Sequence, residues 1–100
     1  MRPEYETDDC VYVPNAIIDN PALRVREKLV MVSLIAHYDE YARVSYPSIE
    51  TICGESRLSR PTVSKTLREL EERGHIRVVR NPGFLSMYEI LTPEFKPMGA

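Results

Sequence analysis

Arg57, Ser59, Arg60, Thr62, Ser64, Lys65 and Arg68 fall within twelve consecutive residues that contain no acidic side chain, and Arg77 and Arg80 follow a short distance downstream. Cations grouped this way suit phosphate oxygens, and an arginine fork with short hydroxyls suits base edges in a groove wide enough for one helix. From Arg57 to Arg80, seven basic residues stand against three acidic ones, a local balance of +4 in a chain of formal charge −2. The charge is segregated, as binding to a phosphate backbone requires.

Residues with other chemistry are scattered. The chain has no Gly-rich phosphate loop, no G-x-S-x-G elbow and no H-E-x-x-H pair. His37 and His75 stand alone, without a partner at metal-ligand or general-base spacing. The doublets Asp8 with Asp9, Asp39 with Glu40, and Glu71 with Glu72 are neighbours whose side chains diverge, so none forms a carboxylate dyad. Cys10 and Cys53 are too few and too far apart for a disulfide framework or a structural zinc site. Neither an enzyme nor a cofactor is expected, and no metal.

Two helices must position the basic cluster. Ser48 is an N-cap candidate for the first, with Ile49, Ile52 and Cys53 on one face. Glu55, Ser56, Arg57 and Leu58 form the expected tight turn, Leu58 packing in the corner. Ser59 caps the second helix, Pro61 is tolerated in its first turn, and Val63, Leu67 and Leu70 make the buried stripe. Arg60, Thr62, Ser64, Lys65 and Arg68 are left pointing outward or sideways. Later acids allow i, i+4 pairs of Lys65 with Glu69, Arg68 with Glu72, and Glu69 with Arg73. Gly74 then stops the helix, because glycine takes a left-handed conformation at little cost.

Behind the stop, Ile76, Val78 and Val79 predict a strand. Asn81, Pro82 and Gly83 make a tight connection, and Leu85, Met87, Tyr88, Ile90 and Leu91 complete a hairpin. Upstream, Val11 to Val13 read as a short edge strand ended by Pro14, and Ala16 to Asp19 as a turn of helix. A long helix starts near Pro21 to Val25 and runs to about Tyr38, apolar around most of its circumference. It should be largely buried, with part of it facing a second copy. The expected class is α+β, mainly α: a three-helix core carrying a helix-turn-helix, with a C-terminal β-hairpin wing.

The segment YPSIETICGESRLSRPTVSKTLRELEERGHIRVVR resembles the winged helix-turn-helix domains of bacterial and phage replication initiators and replisome organisers, and more distantly the GntR-type and MarR-type repressors. The upstream YVPNAIIDNPALRVREKLVMVSLIAHYDEY, with its "PN…L" lead-in, fits the replication-type domains too. The match spans roughly Tyr12 to Leu91. The resemblance implies a recognition helix from Ser59 to Arg73, with Arg60, Thr62 and Ser64 at positions facing the major groove. It also implies a wing tip at Asn81, Pro82 and Gly83, and that tip lacks the Arg or Lys often used to enter the minor groove. Dimers are common among such domains, and a two-fold reader doubles its contacts on a palindromic site.

Composition is compatible with this organisation. One hundred residues, 43% hydrophobic and 28% charged, support one modest core. The sequence divides into an acidic arm (1–11), a domain (12–91) and a tail or linker start (92–100). Residues 1 to 20 carry Glu4, Glu6, Asp8, Asp9 and Asp19 against Arg2, a balance of −4 that leaves +2 for the rest. An arm lying against the basic helix would lower DNA affinity. The overall pI of about 5.7 opposes nonspecific nucleic-acid binding. Leu29 to Ala36 is far too short to span a membrane. MRPEYETDDC is no secretory signal, and a cytoplasmic, nucleoid-associated protein is expected. The six tyrosines, Tyr5, Tyr12, Tyr38, Tyr41, Tyr46 and Tyr88, are expected to serve core and rim packing. The function expected is sequence-specific binding of double-stranded DNA in replication initiation or transcription regulation. The alternative is a winged-helix protein-interaction module of replisome or primosome type.

Overall fold

The computed structural model describes residues 11–92 and Phe95. The acidic arm before Val11, with Cys10 and Tyr5, and the tail after Thr92 apart from Phe95 lie outside the described residues. Four helices, α1 (Asn15–Ile18), α2 (Val25–Ala36), α3 (Ile49–Ser56) and α4 (Arg60–Glu72), combine with four short strands. These are β1 (Tyr38–Asp39), β2 (Val44–Ser45), β3 (Ile76–Val79) and β4 (Met87–Ile90). The class is α+β and mainly helical, and the three larger helices with the β3–β4 hairpin make a winged helix-turn-helix layout.

One core joins the four helices with β3 and β4. α2 contributes Val30, Met31, Leu34 and Ile35, and α4 contributes Val63, Leu67 and Leu70. Ile17, Leu23, Ile52, Ile76 and Tyr88 close it from the remaining segments. The expectation of a largely buried α2 holds for one side only. Val25, Leu29, Val32 and Ala36 recur at i, i+4, i+7 and i+11 and lie on the outer face, Val25 being 75% exposed.

Two sequence expectations fail at the ends of this region. Val11 to Val13 form no strand; Val11 and Tyr12 are exposed without a sheet partner, and Pro14 instead sits at the N-cap of α1. α2 stops at Ala36 rather than near Tyr38, because the chain turns at His37 into a hairpin that the periodicity did not reveal. There the Asp39 carboxylate accepts from the Tyr41 and Ala42 N–H groups at 2.9 and 3.0 Å, and Arg43 adopts a left-handed φ of 62°. β1 pairs with β2, and a single pairing of Ser45 with Tyr88 extends the sheet in the order β1-β2-β4-β3. Buried Ser45 is satisfied by donating to the Leu34 carbonyl at 2.6 Å.

The tyrosines divide. Tyr88 is core, Tyr38 meets the Phe95 ring edge-on with centroids 4.9 Å apart, and Tyr46 donates to Asp39 at 2.9 Å. Tyr41 and Tyr12 pack against little, at 102% and 74% exposure, contrary to the packing role expected of them.

Candidate nucleic-acid interface

Hydroxyl caps and a backbone bend set the two helices of the motif. The Ser48 hydroxyl accepts from the Thr51 N–H at 3.1 Å and starts α3. The turn is shorter than expected: Glu55 and Ser56 belong to α3, where the Ser56 hydroxyl donates back to the Ile52 carbonyl at 2.6 Å. The break comes at Arg57, whose φ of 62° turns the chain left-handed while its N–H still bonds the Cys53 carbonyl at 2.9 Å. Leu58 packs against the core, as the sequence suggests. Ser59 then caps α4, accepting from the Thr62 N–H at 3.4 Å, with Pro61 in the first turn.

The far end of α4 is closed with equal care. Gly74, at φ 80°, donates its N–H to the Glu71 carbonyl at 3.1 Å, and His75 donates to the Leu70 carbonyl at 2.9 Å. This pair of bonds is a Schellman motif, and it satisfies carbonyls that the helix end would leave open.

α4 buries Val63, Thr66, Leu67 and Leu70. Pro61, Ser64, Lys65, Arg68 and Glu72, spaced i, i+3, i+4, i+7 and i+11, form the opposite stripe, and all five are exposed. Arg60 and Thr62 lie on the flanks. Arg60 reaches back to Glu50 of α3, Nη1 to Oε1 at 2.5 Å. Thr62 is half-buried; its hydroxyl accepts from Ser59 at 2.9 Å and its carbonyl accepts from Thr66 at 2.7 Å.

The ion pairs differ from the expected i, i+4 ladder. Glu69 faces α2 and takes Arg26 at 2.8 Å and Arg24 at 3.6 Å. Arg73 takes Glu27 of α2 at 2.7 Å. Lys65, Arg68 and Arg57 therefore have no ion-pair partner among the described residues. Burial alone would raise the Glu27 carboxyl, but the Arg24 N–H and the Arg73 guanidinium outweigh it and hold the group below the ordinary carboxylate value.

In the wing, Arg77 and Glu89 face each other across β3 and β4 and bond through two contacts, 2.7 and 2.8 Å. Arg80 holds Glu71 of α4 at 2.9 and 3.2 Å. The hydrogen bonds from Arg60, Arg80 and Arg77 lower the carboxyls of Glu50, Glu71 and Glu89 respectively. Asn81 closes the wing tip, its carbonyl accepting from the Phe84 N–H at 2.9 Å around Gly83 at φ 82°. A cleft of about 230 Å³ separates α4 from the wing, lined by Ile49, Ser64, Leu67, Arg68, Val78, Arg80, Ser86 and Tyr88. Helix stripe and hairpin base thus share one concave surface, to which Ser86 adds a hydroxyl that the sequence pattern does not single out.

Nor does the sequence pattern supply a partner for His37. Its Nε2 lies 2.7 Å from Glu55, whose other oxygen accepts from the buried Ser33 hydroxyl at 2.6 Å, so the trio clasps α2 to α3. No group of three or more His, Cys, Asp or Glu residues able to hold a metal occurs among the described residues. No described helix is long and apolar enough to cross a membrane.

A capped short helix, a left-handed turn, a second helix with a cationic outer stripe and a hairpin beside it define a helix-turn-helix protein. Residues 23–76, over half of the chain, match the family model described as "Helix-turn-helix domain", and the protein belongs to that family. No curated protein and no solved structure matches the chain significantly. The family and the fold make DNA the general class of ligand.

Proposed function

We propose that the chain binds double-stranded DNA sequence-specifically, with the helix from Ser59 to Arg73 in the major groove. The observation that carries this reading is that Lys65 and Arg68 stand on the solvent stripe of α4 with no ion pair among the described residues. Such cations release condensed counterions when they meet phosphates. Lys65, Arg68 and Arg57 act on phosphates, while Ser64, Arg60 and Thr62 lie nearest the base edges, with the Ser59 cap at the helix mouth. Arg80 and Asn81 bring the wing to the flanking backbone. Arg60 and Arg80 exchange their Glu50 and Glu71 partners for DNA when bound. The unit is the domain 12–91, a binding module without catalytic role or cofactor.

The resemblance to replication initiators and replisome organisers supports a role in replication initiation, with transcription regulation as the sister role, in the cytoplasm of a bacterial or phage system. The apolar outer stripe of α2 supports a homodimer on a two-fold site. One observation favours a protein-interaction winged helix instead: Arg60, Arg73, Arg77 and Arg80 are already matched by acids within the fold. Random-oligonucleotide selection on the full chain separates the two. Recovery of a shared duplex motif is the expected result, and failure to enrich any duplex at low salt would remove the DNA reading.

A further inference from the structure

From Asn81 to Tyr88 the wing carries no charged residue, so its tip offers phosphates no cation. It offers an aromatic ring instead. Phe84 is 83% exposed and Leu85 beside it 52%. The ring rides on a closed turn, because Gly83 at φ 82° lets the Phe84 N–H return to the Asn81 carbonyl. The hairpin that carries it meets α4 at the cleft lined by Ser64, Arg68 and Arg80, the same cleft that borders the cationic stripe. Proteins that bind the minor groove frequently insert a phenylalanine or leucine between base steps, partly unstacking them. Unstacking costs least at pyrimidine–purine steps.

We propose that Phe84, backed by Leu85, is an apolar wedge that enters the minor groove beside the recognition-helix contact and partly unstacks one base step. The protein then prefers a deformable step at a position that none of its polar side chains reads. This inference rests on the DNA-binding reading and adds to it a contact without charge. Its signature is therefore separable from phosphate contacts by salt.

The test uses the full chain and the duplex recovered by random selection, with 2-aminopurine replacing each adenine in turn. Binding is followed by anisotropy over a salt series. Phe84→Ala should keep the parent's thermal midpoint, lower affinity about tenfold and leave the salt slope unchanged. It should also abolish a rise in 2-aminopurine emission confined to one step, whereas Phe84→Trp should keep that rise. Lys65→Ala, measured alongside, should lower affinity and reduce the slope. If Lys65→Ala does so while Phe84→Ala binds as the parent does and no position brightens, the wedge is overturned and the tip is left to a protein partner. If no variant and no salt concentration alters duplex binding, the DNA reading falls, and the wedge with it.

Discussion

Arg73, at the C-cap of α4, donates to both carboxylate oxygens of Glu27, one turn into α2, at 2.7 and 2.9 Å. The same guanidinium also donates to the Ala22 carbonyl, and Glu27 itself is fully buried and accepts from the Arg24 N–H at 2.7 Å. One arginine thus fixes the end of α4 to the start of α2. The direction in which the cationic stripe faces depends on that clamp.

Removing either partner leaves a buried charge or a broken clamp. Arg73→Ala should destabilise the fold by about 2–4 kcal/mol, toward the lower part of the range for buried pairs because Arg73 is itself partly exposed. Arg73→Lys should recover little, since an ammonium cannot reach the two carboxylate oxygens and the Ala22 carbonyl as a fork does. Urea unfolding of the variants measures both.

Stability should respond to acid in a defined direction. The folded Glu27 carboxyl lies below its ordinary value of 4.5, so its contribution is complete above that value and is lost as pH falls through the folded pKa. Glu55 acts in the same sense: burial is the largest single effect and raises its carboxyl, but the Ser33 and His37 contacts together outweigh it and hold the group below the ordinary value. The thermal midpoint should be level from pH 7 to about pH 5 and fall below it. Glu27→Gln should start lower at neutral pH and fall less steeply.

Gly74 isolates a backbone effect. A Cβ there meets no atom within 4 Å, yet φ is +80°. Gly74→Ala should therefore cost about 1 kcal/mol from conformation alone. Chemical denaturation should show a shifted midpoint with an unchanged slope.

The Arg60–Glu50 pair sets a competition with DNA. Freed of its partner, Arg60 is available to a base or phosphate, so Glu50→Gln should raise duplex affinity, most at low salt. Arg60→Ala should lower affinity and relax discrimination by about 1–3 kcal/mol at one base position, if that arginine reads guanine. Competition binding against single-base variants of the selected duplex distinguishes the two effects.

The helix-turn-helix was legible because its signals are local. Ser48 and Ser59 cap, Gly74 stops, and Val63, Leu67 and Leu70 keep one helical face, all within a turn or two of sequence. β1 and β2 were not legible, because two residues each leave no alternation to detect. The ion pairs escaped the sequence for the opposite reason. Arg24, Arg26 and Glu27 reach Glu69 and Arg73 from more than forty positions away, and only the packing of α2 on α4 brings them together. Those long-range pairs draw Glu69 away from Lys65 and leave the outer stripe more cationic than the local ladder implied. The wing's Arg80 and Arg77 are matched by Glu71 and Glu89 at the shorter separations of nine and twelve positions, brought together by the hairpin and its packing beside α4.

The most direct test is the salt dependence of duplex binding by the full chain and by its Lys65→Ala, Arg68→Ala double variant, on the selected duplex. The parent's affinity should fall steeply and linearly on a log–log plot. The double variant should bind more weakly at every salt concentration, with a slope shallower by about two, one for each phosphate that the protein no longer neutralises. A flat plot for the parent, or a double variant indistinguishable from it, would contradict the assignment of this stripe to DNA.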